Sequence, residues 1–372
     1  MQDILFNDFA RQWEDTRVEM LAAFERVGAS GWYVLGREVV EFERALAVYW
    51  GVNRAVGVAS GLDAIEIGLR ALGCEEGDRV LTTPVSAFAT TLAIVKLGAV
   101  PVFAPVDRYG LVDLAACDDV LRARPEIRFF VPVHLYGHAL DAEQIGELRS
   151  RFDLKIVEDC AQSIGASFGG AVCGRAGQVA ATSFYPTKNL GAMGDGGAIL
   201  TGSEELGARC AEYRNYGQSA KYRHESIGYN SRLDELQAAL LAVSLKKLPG
   251  WIERRRTIAK RYIEGIRNKA VLVPGPPPGS DSSWHLFPVL VQAEKKPAFF
   301  RWMRERGITT AEHYPKAIFD QPAMRAVAYE NVPGAERARN FCHEQVSLPI
   351  HPYLTDEETA RVIEAVNGWR AE

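Results

Sequence analysis

Seven short runs of apolar residues lie between residues 55 and 202, and turn residues bound each of them. The apolar residues are consecutive rather than alternating, which is typical of strands buried on both faces of a sheet. Patterns with apolar residues three or four positions apart, typical of helices, separate several of these runs. The sequence therefore predicts strands at 55–60, 79–84, 101–106, 127–134, 155–160, 179–185 and 196–202.

This alternation predicts an α/β fold, in which a mostly parallel seven-stranded sheet lies between layers of helices. Only a loop joins the last two strands, so we expect that side of the sheet to differ from the rest. A long helical pattern follows at 231–266, and we expect it to be broken or kinked at Pro249 and Gly250.

A stretch rich in proline and glycine at 273–283 precedes a change to shorter, mixed elements. These elements are predicted as a strand at 284–291 and helices at 296–307 and 356–370. We therefore expect two domains, a large one at 1–248 and a smaller C-terminal α/β domain at 249–372.

Composition and charge exclude several classes of protein. Of the 372 residues, 47% are hydrophobic and 24% are charged, and the formal net charge is −4, so we expect neither nucleic acid nor an anionic membrane as a partner. The start of the chain has no pattern of a secretory signal, and we expect a cytoplasmic protein without a membrane span. The six cysteines and seven histidines form no C-x-x-C or H-E-x-x-H motif, so we expect reduced thiols and no metal site.

Polar residues that follow predicted strands are the candidates for chemistry, because open α/β sheets bind ligands beyond the carboxyl ends of their strands. Ser60, Gly61 and Leu62 open a helix, whose backbone N–H groups can bind a phosphate; a simple serine cap is the alternative. Asp159 ends a buried strand and could pair with a protonated ring nitrogen; a helix cap or an ordinary ion pair is the alternative.

Lys188 is the third candidate. Only three lysines occur between residues 55 and 205, and Lys96 and Lys155 lie in a helix and a strand pattern. An amine in a desolvated pocket after a strand has a lowered pKa and can form a Schiff base. Ser183, five positions earlier, could meet a phosphate, and nearby glycines let the backbone approach a bulky group: Gly191, Gly194, Gly196 and Gly197.

A lysine for an aldehyde, an acid for a ring nitrogen and an anion site together indicate pyridoxal phosphate. Phe88 follows a predicted strand and could supply the flat side chain over the ring. Nucleotide loops fit less well, because no G-x-G-x-x-G follows the first strand and Arg175 replaces the lysine of a phosphate loop.

The chain resembles the fold-type I pyridoxal-phosphate sugar aminotransferases of the DegT/DnrJ/EryC1/StrS type, which aminate nucleotide-linked keto-sugars. The resemblance extends over nearly the whole chain, and several stretches carry it: FNDFARQ, ASGLDAIEIGLRALG, PVHLYGHALD, IVEDCAQSIGA, SFYPTKNLGAMGDGGA, RNYG and GYNSRLDELQAA.

The resemblance implies that the large domain binds the cofactor, with Lys188 as the Schiff-base lysine and Asp159 at the pyridinium nitrogen. It implies further roles around the ring, with Gln162 beside it and Phe88 stacked on it. It also implies a homodimer with shared active sites, in which Asn230 reaches the phosphate of the neighbouring subunit. The phosphate in the same subunit would be held by Ser60, Gly61, Leu62 and Ser183.

Within the family, FYPTKNLGAMGDGGA, NYGQSAKYRHE and GYNSRLDE are similar to enzymes that aminate C3 of dTDP-3-keto-6-deoxyhexoses. This similarity implies L-glutamate as the amino donor and a nucleotide-linked keto-sugar as the acceptor. It implies that the hexose lies among Tyr185, His313, Tyr314 and Tyr222 of the partner chain; packed aromatics or a core histidine are the alternatives. Relatives that act on UDP-linked 3-keto sugars share part of the pattern, and amination at C4 also stays open.

Three other functions remain as alternatives. A lyase or dehydratase on a similar sugar is disfavoured by Lys188, because dehydrating relatives have histidine at that position. A pyridoxal-phosphate-binding regulator without catalysis is disfavoured, because the sequence shows neither a DNA-binding domain nor a basic patch. A nucleotide-binding oxidoreductase would have the same strand alternation, but the dinucleotide glycine pattern is missing.

Overall fold

The computed structural model describes residues 3–370. Helices and strands alternate along most of this part of the chain, as an α/β fold requires. The helices are α1 Phe9–Ser30, α2 Arg37–Trp50, α3 Gly61–Ala71, α4 Phe88–Lys96, α5 Leu114–Ala123, α6 Ala142–Phe152, α7 Glu204–Tyr213, α8 Glu235–Gly265, α9 Lys296–Glu305, α10 Ala338–Glu344 and α11 Asp356–Gly368. The strands are β1 Arg54–Val58, β2 Arg79–Thr82, β3 Val100–Phe103, β4 Phe129–Val131, β5 Lys155–Asp159, β6 Ser167–Phe168, β7 Ala171–Val172, β8 Val179–Ser183, β9 Gly197–Thr201, β10 Gln218–Ala220, β11 Arg223–His224, β12 Val271–Leu272, β13 Ser280–Asp281, β14 Phe287–Val291, β15 Glu330–Asn331 and β16 Gln345–Leu348.

The central sheet contains all seven strands predicted from the apolar runs, in the order β1-β9-β8-β5-β4-β2-β3, and adds the two-residue strand β15 beside β3. The pairs from β8 to β15 are parallel, whereas β9 is antiparallel to both of its neighbours. The expected difference near β8 and β9 is therefore confirmed, and β9 lies inside the sheet with β1 at its edge. Since β1 and β8 both run against β9, they point the same way, and their carboxyl ends share one edge with that of β5.

Helices cover the sheet on both faces, because its strands are apolar on both sides. One hydrophobic cluster joins α3 and α4 to the strands, with Ile65, Ile67 and Leu69 fully buried. Another cluster lies under α2 and α8, with Phe42 and Leu241 fully buried. The sheet is therefore a rigid platform, and side chains at the carboxyl ends of its strands are held in fixed positions.

The helix was predicted to be broken or kinked at Pro249; a break is wrong, because α8 continues through the proline as one helix of 31 residues, and a kink remains a prediction. Leu248, Trp251 and Ile252 are all buried against the same cluster, so packing on both sides of the proline offsets the hydrogen bond that the proline removes. The helix crosses the predicted boundary between residues 248 and 249, and that boundary remains a prediction.

A second sheet, β12-β14-β16, packs with α9 and α11 around a separate hydrophobic cluster near the end of the chain. The predicted strand at 284–291 and the two predicted helices are confirmed there. Ile4 joins this cluster through a bridge to Ile308. All six cysteines are free and buried. Between residues 3 and 370, no helix has the length and apolar character needed to cross a bilayer.

Candidate active site

The site lies at the shared carboxyl edge of β1, β5 and β8. Asp159 is the last residue of β5, and Lys188 follows the end of β8 by five positions. The backbone N–H of Lys188 donates to the Tyr185 carbonyl over 2.8 Å, which closes a tight turn after the strand. Sequence reasoning therefore placed both residues at the edge where the structure has them.

The amine of Lys188 has an altered pKa at this edge. Burial of its amine lowers the pKa to about 8, from an ordinary value of 10.5, and the Asp159 carboxylate only partly opposes this shift. About a tenth of the amine is therefore unprotonated at pH 7, far more than for an ordinary lysine, and this is the form that attacks an aldehyde.

Two hydrogen bonds hold the Asp159 carboxylate. Its Oδ1 accepts from the backbone N–H of Ala161 over 3.0 Å, and its Oδ2 accepts from the Thr90 hydroxyl over 2.7 Å. Thr90 in turn lies 2.9 Å, oxygen to oxygen, from Ser86. Thr90 was missed by sequence reasoning, because a threonine inside a helix pattern gives no signal of the carboxylate that it will contact.

The phosphate site expected around Ser60 is a closely packed cradle. Ser60 is the N-cap of α3, and its hydroxyl accepts from the backbone N–H of Asp63 over 3.1 Å. A Cβ on Gly61 would lie 2.6 Å from the Cβ of Ser183, and one on Gly197 would lie 2.4 Å from the Ser60 carbonyl. Only glycine lets these three segments meet, so Ser60, Ser183 and the N-terminus of α3 lie close together. The chemistry of these donors, two hydroxyls and a helix N-terminus, fits a phosphate group.

Gln162 connects the carboxyl edge to the C-terminal part of the chain. Its Oε1 accepts from the Tyr136 backbone N–H over 2.7 Å, so its Nε2 points the other way and donates to the Tyr314 hydroxyl over 3.1 Å. Burial, with Asp159 nearby, raises the pKa of Tyr314. Tyr314 is therefore a neutral phenol held beside the acid.

His313 precedes Tyr314 and is the second predicted sugar-binding residue that the structure brings to this edge. Burial, together with the nearby Lys188 amine, lowers its pKa to about 4. The ring of Phe6 stacks on the imidazole with 5.5 Å between centroids. The Tyr136 hydroxyl donates to the His313 carbonyl over 2.5 Å. The imidazole is thus uncharged at neutral pH and firmly placed.

In the described part of the chain, the remaining predicted residues make no hydrogen bond to the side chains of Gln162, His313 or Tyr314. Tyr185 is 52% exposed, and Tyr222 is 84% exposed in the β10–β11 hairpin. Asn230 is also exposed. Among residues 3–370, Tyr222 contacts Lys221 and Asn230 pairs with Asn215, and no hydrogen bond or ring contact joins either residue to Lys188. Phe88 begins α4 and packs against the core, while Leu62 is half-buried in the first turn of α3.

Comparison with known proteins gives a family for this arrangement. The profile of the DegT/DnrJ/EryC1/StrS aminotransferase family matches residues 14–367. A Streptomyces venezuelae protein named dTDP-3-amino-3,4,6-trideoxy-alpha-D-glucose transaminase is 41% identical over 368 residues, which are 98% of this chain and 95% of the relative.

A second relative has a different name. The Geobacillus stearothermophilus "pleiotropic regulatory protein" is 36% identical over 363 residues, 96% of each chain. Among solved structures, S. venezuelae DesV in complex with a ketimine intermediate superposes with a TM-score of 0.94 at 40% identity, covering 100% of this chain and 99% of that one. The fold is thus that of the fold-type I aminotransferases.

Proposed function

The chain belongs to the DegT/DnrJ/EryC1/StrS aminotransferase family, and we propose that it transfers the amino group of L-glutamate to C3 of a dTDP-linked 3-keto-6-deoxyhexose. The name of the S. venezuelae transaminase supports this substrate class, since that relative matches almost the whole chain. The observation that carries the proposal is the Lys188 amine, with a pKa of about 8, beside Asp159 at the carboxyl edge of the sheet.

The cofactor of this family is pyridoxal phosphate, and the residues at the edge fit it. Lys188 would bind its aldehyde, Asp159 its ring nitrogen, and Ser60 and Ser183 its phosphate. When bound, it supplies a conjugated ring that withdraws electrons from the Cα of the amino donor. Phe88 and Gln162 remain proposed contacts of the ring.

The chain's own residues then perform the proton transfers. The Lys188 amine, once free, takes the proton from the donor Cα, because a base with a pKa of about 8 is matched to neutral pH. Asp159, held by hydrogen bonds from Thr90 and the Ala161 N–H, would place its carboxylate against the ring nitrogen. With a keto-sugar as acceptor, Lys188 returns a proton to the sugar carbon.

We also propose that two copies of the chain form a homodimer with shared active sites. Large apolar side chains are exposed on α1 and on the segment after it, including Val18 at 72%, Phe24 at 59% and Trp32 at 63%. Exposed apolar surface of this extent is typical of an interface. Tyr222 and Asn230 do not contact Lys188 of their own subunit. This is expected if they instead complete the active site of the partner subunit.

The cytoplasm is the proposed location, because six free cysteines are typical of a reducing compartment. Transfer to a UDP-linked 3-keto sugar, or to C4 of a 4-keto sugar, is the alternative within the family. A regulator without catalysis is the alternative from another class, and the name of the Geobacillus relative gives it a specific reason.

A half-reaction measurement tests the enzyme against the regulator. The purified protein is loaded with pyridoxal phosphate and mixed with L-glutamate alone, and 2-oxoglutarate is counted per subunit. The proposal expects about one equivalent, followed by turnover when a dTDP-3-keto-6-deoxyhexose is added. Binding of the cofactor without any 2-oxoglutarate would favour the regulator. If a UDP-linked 3-keto sugar or a 4-keto sugar is turned over faster than the dTDP-3-keto-6-deoxyhexose, that sugar becomes the assigned substrate.

A further inference from the structure

Gln345 and Ser347 are two polar side chains that are completely buried on one face of β16. The alternate residues Val346 and Leu348 point into the hydrophobic cluster of the C-terminal part. Side chains alternate across a strand, so Gln345 and Ser347 share the opposite face. Buried polar groups need partners, and both of these side chains find theirs at His313.

The backbone of this region holds His313 against β16. Ala311 pairs with Ser347 in an antiparallel bridge, and two backbone hydrogen bonds of 2.8 and 3.2 Å join them. The backbone N–H of His313 then donates to Oε1 of Gln345 over 2.7 Å. Since that N–H can only donate, the oxygen of the Gln345 amide must face it, and the NH₂ group faces away.

The orientation of Gln345 determines the orientation of the Ser347 hydroxyl. The Gln345 Nε2 lies 2.7 Å from Ser347 Oγ and donates to it. The same oxygen lies 2.9 Å from Nδ1 of His313. If Nδ1 carried a proton, Ser347 would accept twice, and its own hydrogen would have no acceptor among residues 3–370. A buried donor without a partner is strongly disfavoured, so Ser347 donates to Nδ1.

We propose that Gln345 and Ser347 are positioning residues that hold His313 as a neutral imidazole with its proton on Nε2, which donates a hydrogen bond to an oxygen of the keto-sugar. The direction of the hydrogen bonds requires this state, because an Nδ1 that accepts cannot belong to an imidazolium. The inference rests on the proposed function for the identity of the ligand only.

The remaining contacts of His313 agree with this role. Within the described part of the chain, Nε2 of His313 has no hydrogen-bond partner, while Phe6 covers the ring. The lowered pKa of His313 also favours the neutral imidazole, in agreement with the hydrogen bonds. A neutral donor recognises an oxygen without placing a second positive charge beside Lys188. The opposite tautomer would present a lone pair at Nε2 and would act as a base.

The state of His313 can be read directly by NMR. The pyridoxal-phosphate-loaded protein is labelled with ¹⁵N-histidine, and the two nitrogens of His313 are observed at pH 7 through their couplings to the ring protons. The proposal expects Nε2 protonated and Nδ1 bare. Protonation of Nδ1, alone or together with Nε2, would overturn it. This readout needs no sugar, so it is independent of the assigned substrate.

Ser282 offers a matched control, because its buried hydroxyl lies 2.9 Å from Nδ1 of another histidine, His138. Ser347→Ala is expected to change the nitrogen signals of His313, leaving those of His138 as they are. Ser282→Ala is expected to do the reverse. Unchanged His313 signals in Ser347→Ala would contradict the proposed relay.

Kinetic measurements distinguish a role of Ser347 in positioning His313 from general damage to the protein. Ser347→Ala is expected to raise the KM for the keto-sugar by roughly tenfold, the loss of about one hydrogen bond, while the glutamate half-reaction changes less than about twofold. Ser347→Thr keeps the hydroxyl and is expected to restore the KM. If Ser347→Ala lowers the activity of both half-reactions equally, Ser347 does not act through His313. A protein that fails the glutamate half-reaction while keeping the expected His313 signals would contradict the proposed function instead.

Discussion

The hydroxyl of Thr90 donates a 2.7 Å hydrogen bond to the carboxylate of Asp159. The two residues are 69 positions apart and both are buried. The bond joins the first turns of α4 to the end of β5, so the geometry of the acid depends on a residue from another element. A hydrogen bond to a charged group is stronger than a neutral one, and this bond therefore has a measurable role.

Replacing Thr90 tests that role. Thr90→Val keeps the shape of the side chain and removes the hydrogen-bond donor. The loss of a hydrogen bond to a charged group costs a free energy of about 2 kcal/mol. We expect the affinity for pyridoxal phosphate to fall roughly 30-fold, as measured by equilibrium dialysis. Thr90→Ser keeps the hydroxyl and should bind within a few-fold of the unaltered protein. Equal affinity for Thr90→Val and Thr90→Ser would mean that the bond does not support the cofactor site.

The glycine cradle leads to a second prediction. A Cβ at Gly197 would lie 2.4 Å from the Ser60 carbonyl, whereas one at Gly202 meets nothing within 4 Å. Gly197→Ala is expected to displace the start of α3 and weaken cofactor binding, with about 1–3 kcal/mol lost from stability by overpacking. Gly202→Ala, close by in the chain, should leave both properties unchanged. Thermal unfolding and cofactor titration of the two variants make the comparison, and similar losses in both would refute the cradle.

The pKa of Lys188 predicts a pH dependence for cofactor attachment. The unprotonated amine is the reactive form, and burial brings its pKa down to about 8. The rate at which the cofactor-free protein binds pyridoxal phosphate covalently should fall about tenfold per unit below pH 8 and level off above it. Absorbance in the visible follows this reaction, with Lys188→Ala as the blank. A rate that continued to rise towards pH 10.5 would show an ordinary, solvated lysine.

Mixed dimers test the shared active sites. Lys188→Ala and Tyr222→Ala would each be inactive or nearly so as homodimers. In a heterodimer, one site contains Lys188 of one subunit and Tyr222 of the other, and is intact. Random co-assembly should therefore restore about one quarter of the normal activity. No recovery in verified heterodimers would place Tyr222 in the same subunit's site or in none.

Much of the fold could be predicted because the apolar pattern has a direct physical cause. The seven consecutive apolar runs are strands buried on both faces, and all seven are present. The two-residue strand β15 could not be predicted, because its pairing to β3 comes from tertiary contact rather than from any pattern of its own. The continuity of α8 through Pro249 was mispredicted for the same reason, since packing of Trp251 and Leu248 overrides the local preference.

The residues of the candidate site were likewise only partly predictable from the sequence. Asp159 and Lys188 were singled out because Asp159 is a costly charged residue at the end of an apolar strand and Lys188 lies in the loop that follows another. The residues that hold Asp159 and His313 were not predicted. Thr90, Gln345 and Ser347 are ordinary polar residues, and they lie 32 or more positions from the Asp159 or His313 group that each one contacts. Long-range hydrogen bonds of this kind leave no local pattern, and only the folded chain shows them.

The position at which nitrogen enters the sugar tests the central claim most directly. The loaded protein is incubated with ¹⁵N-labelled L-glutamate and a dTDP-3-keto-6-deoxyhexose, and NMR of the nucleotide-sugar product identifies the carbon that carries ¹⁵N. The account predicts the label on C3, with 2-oxoglutarate formed in equal amount. Label on another carbon, or a nucleotide-sugar without nitrogen while glutamate is intact, would contradict it.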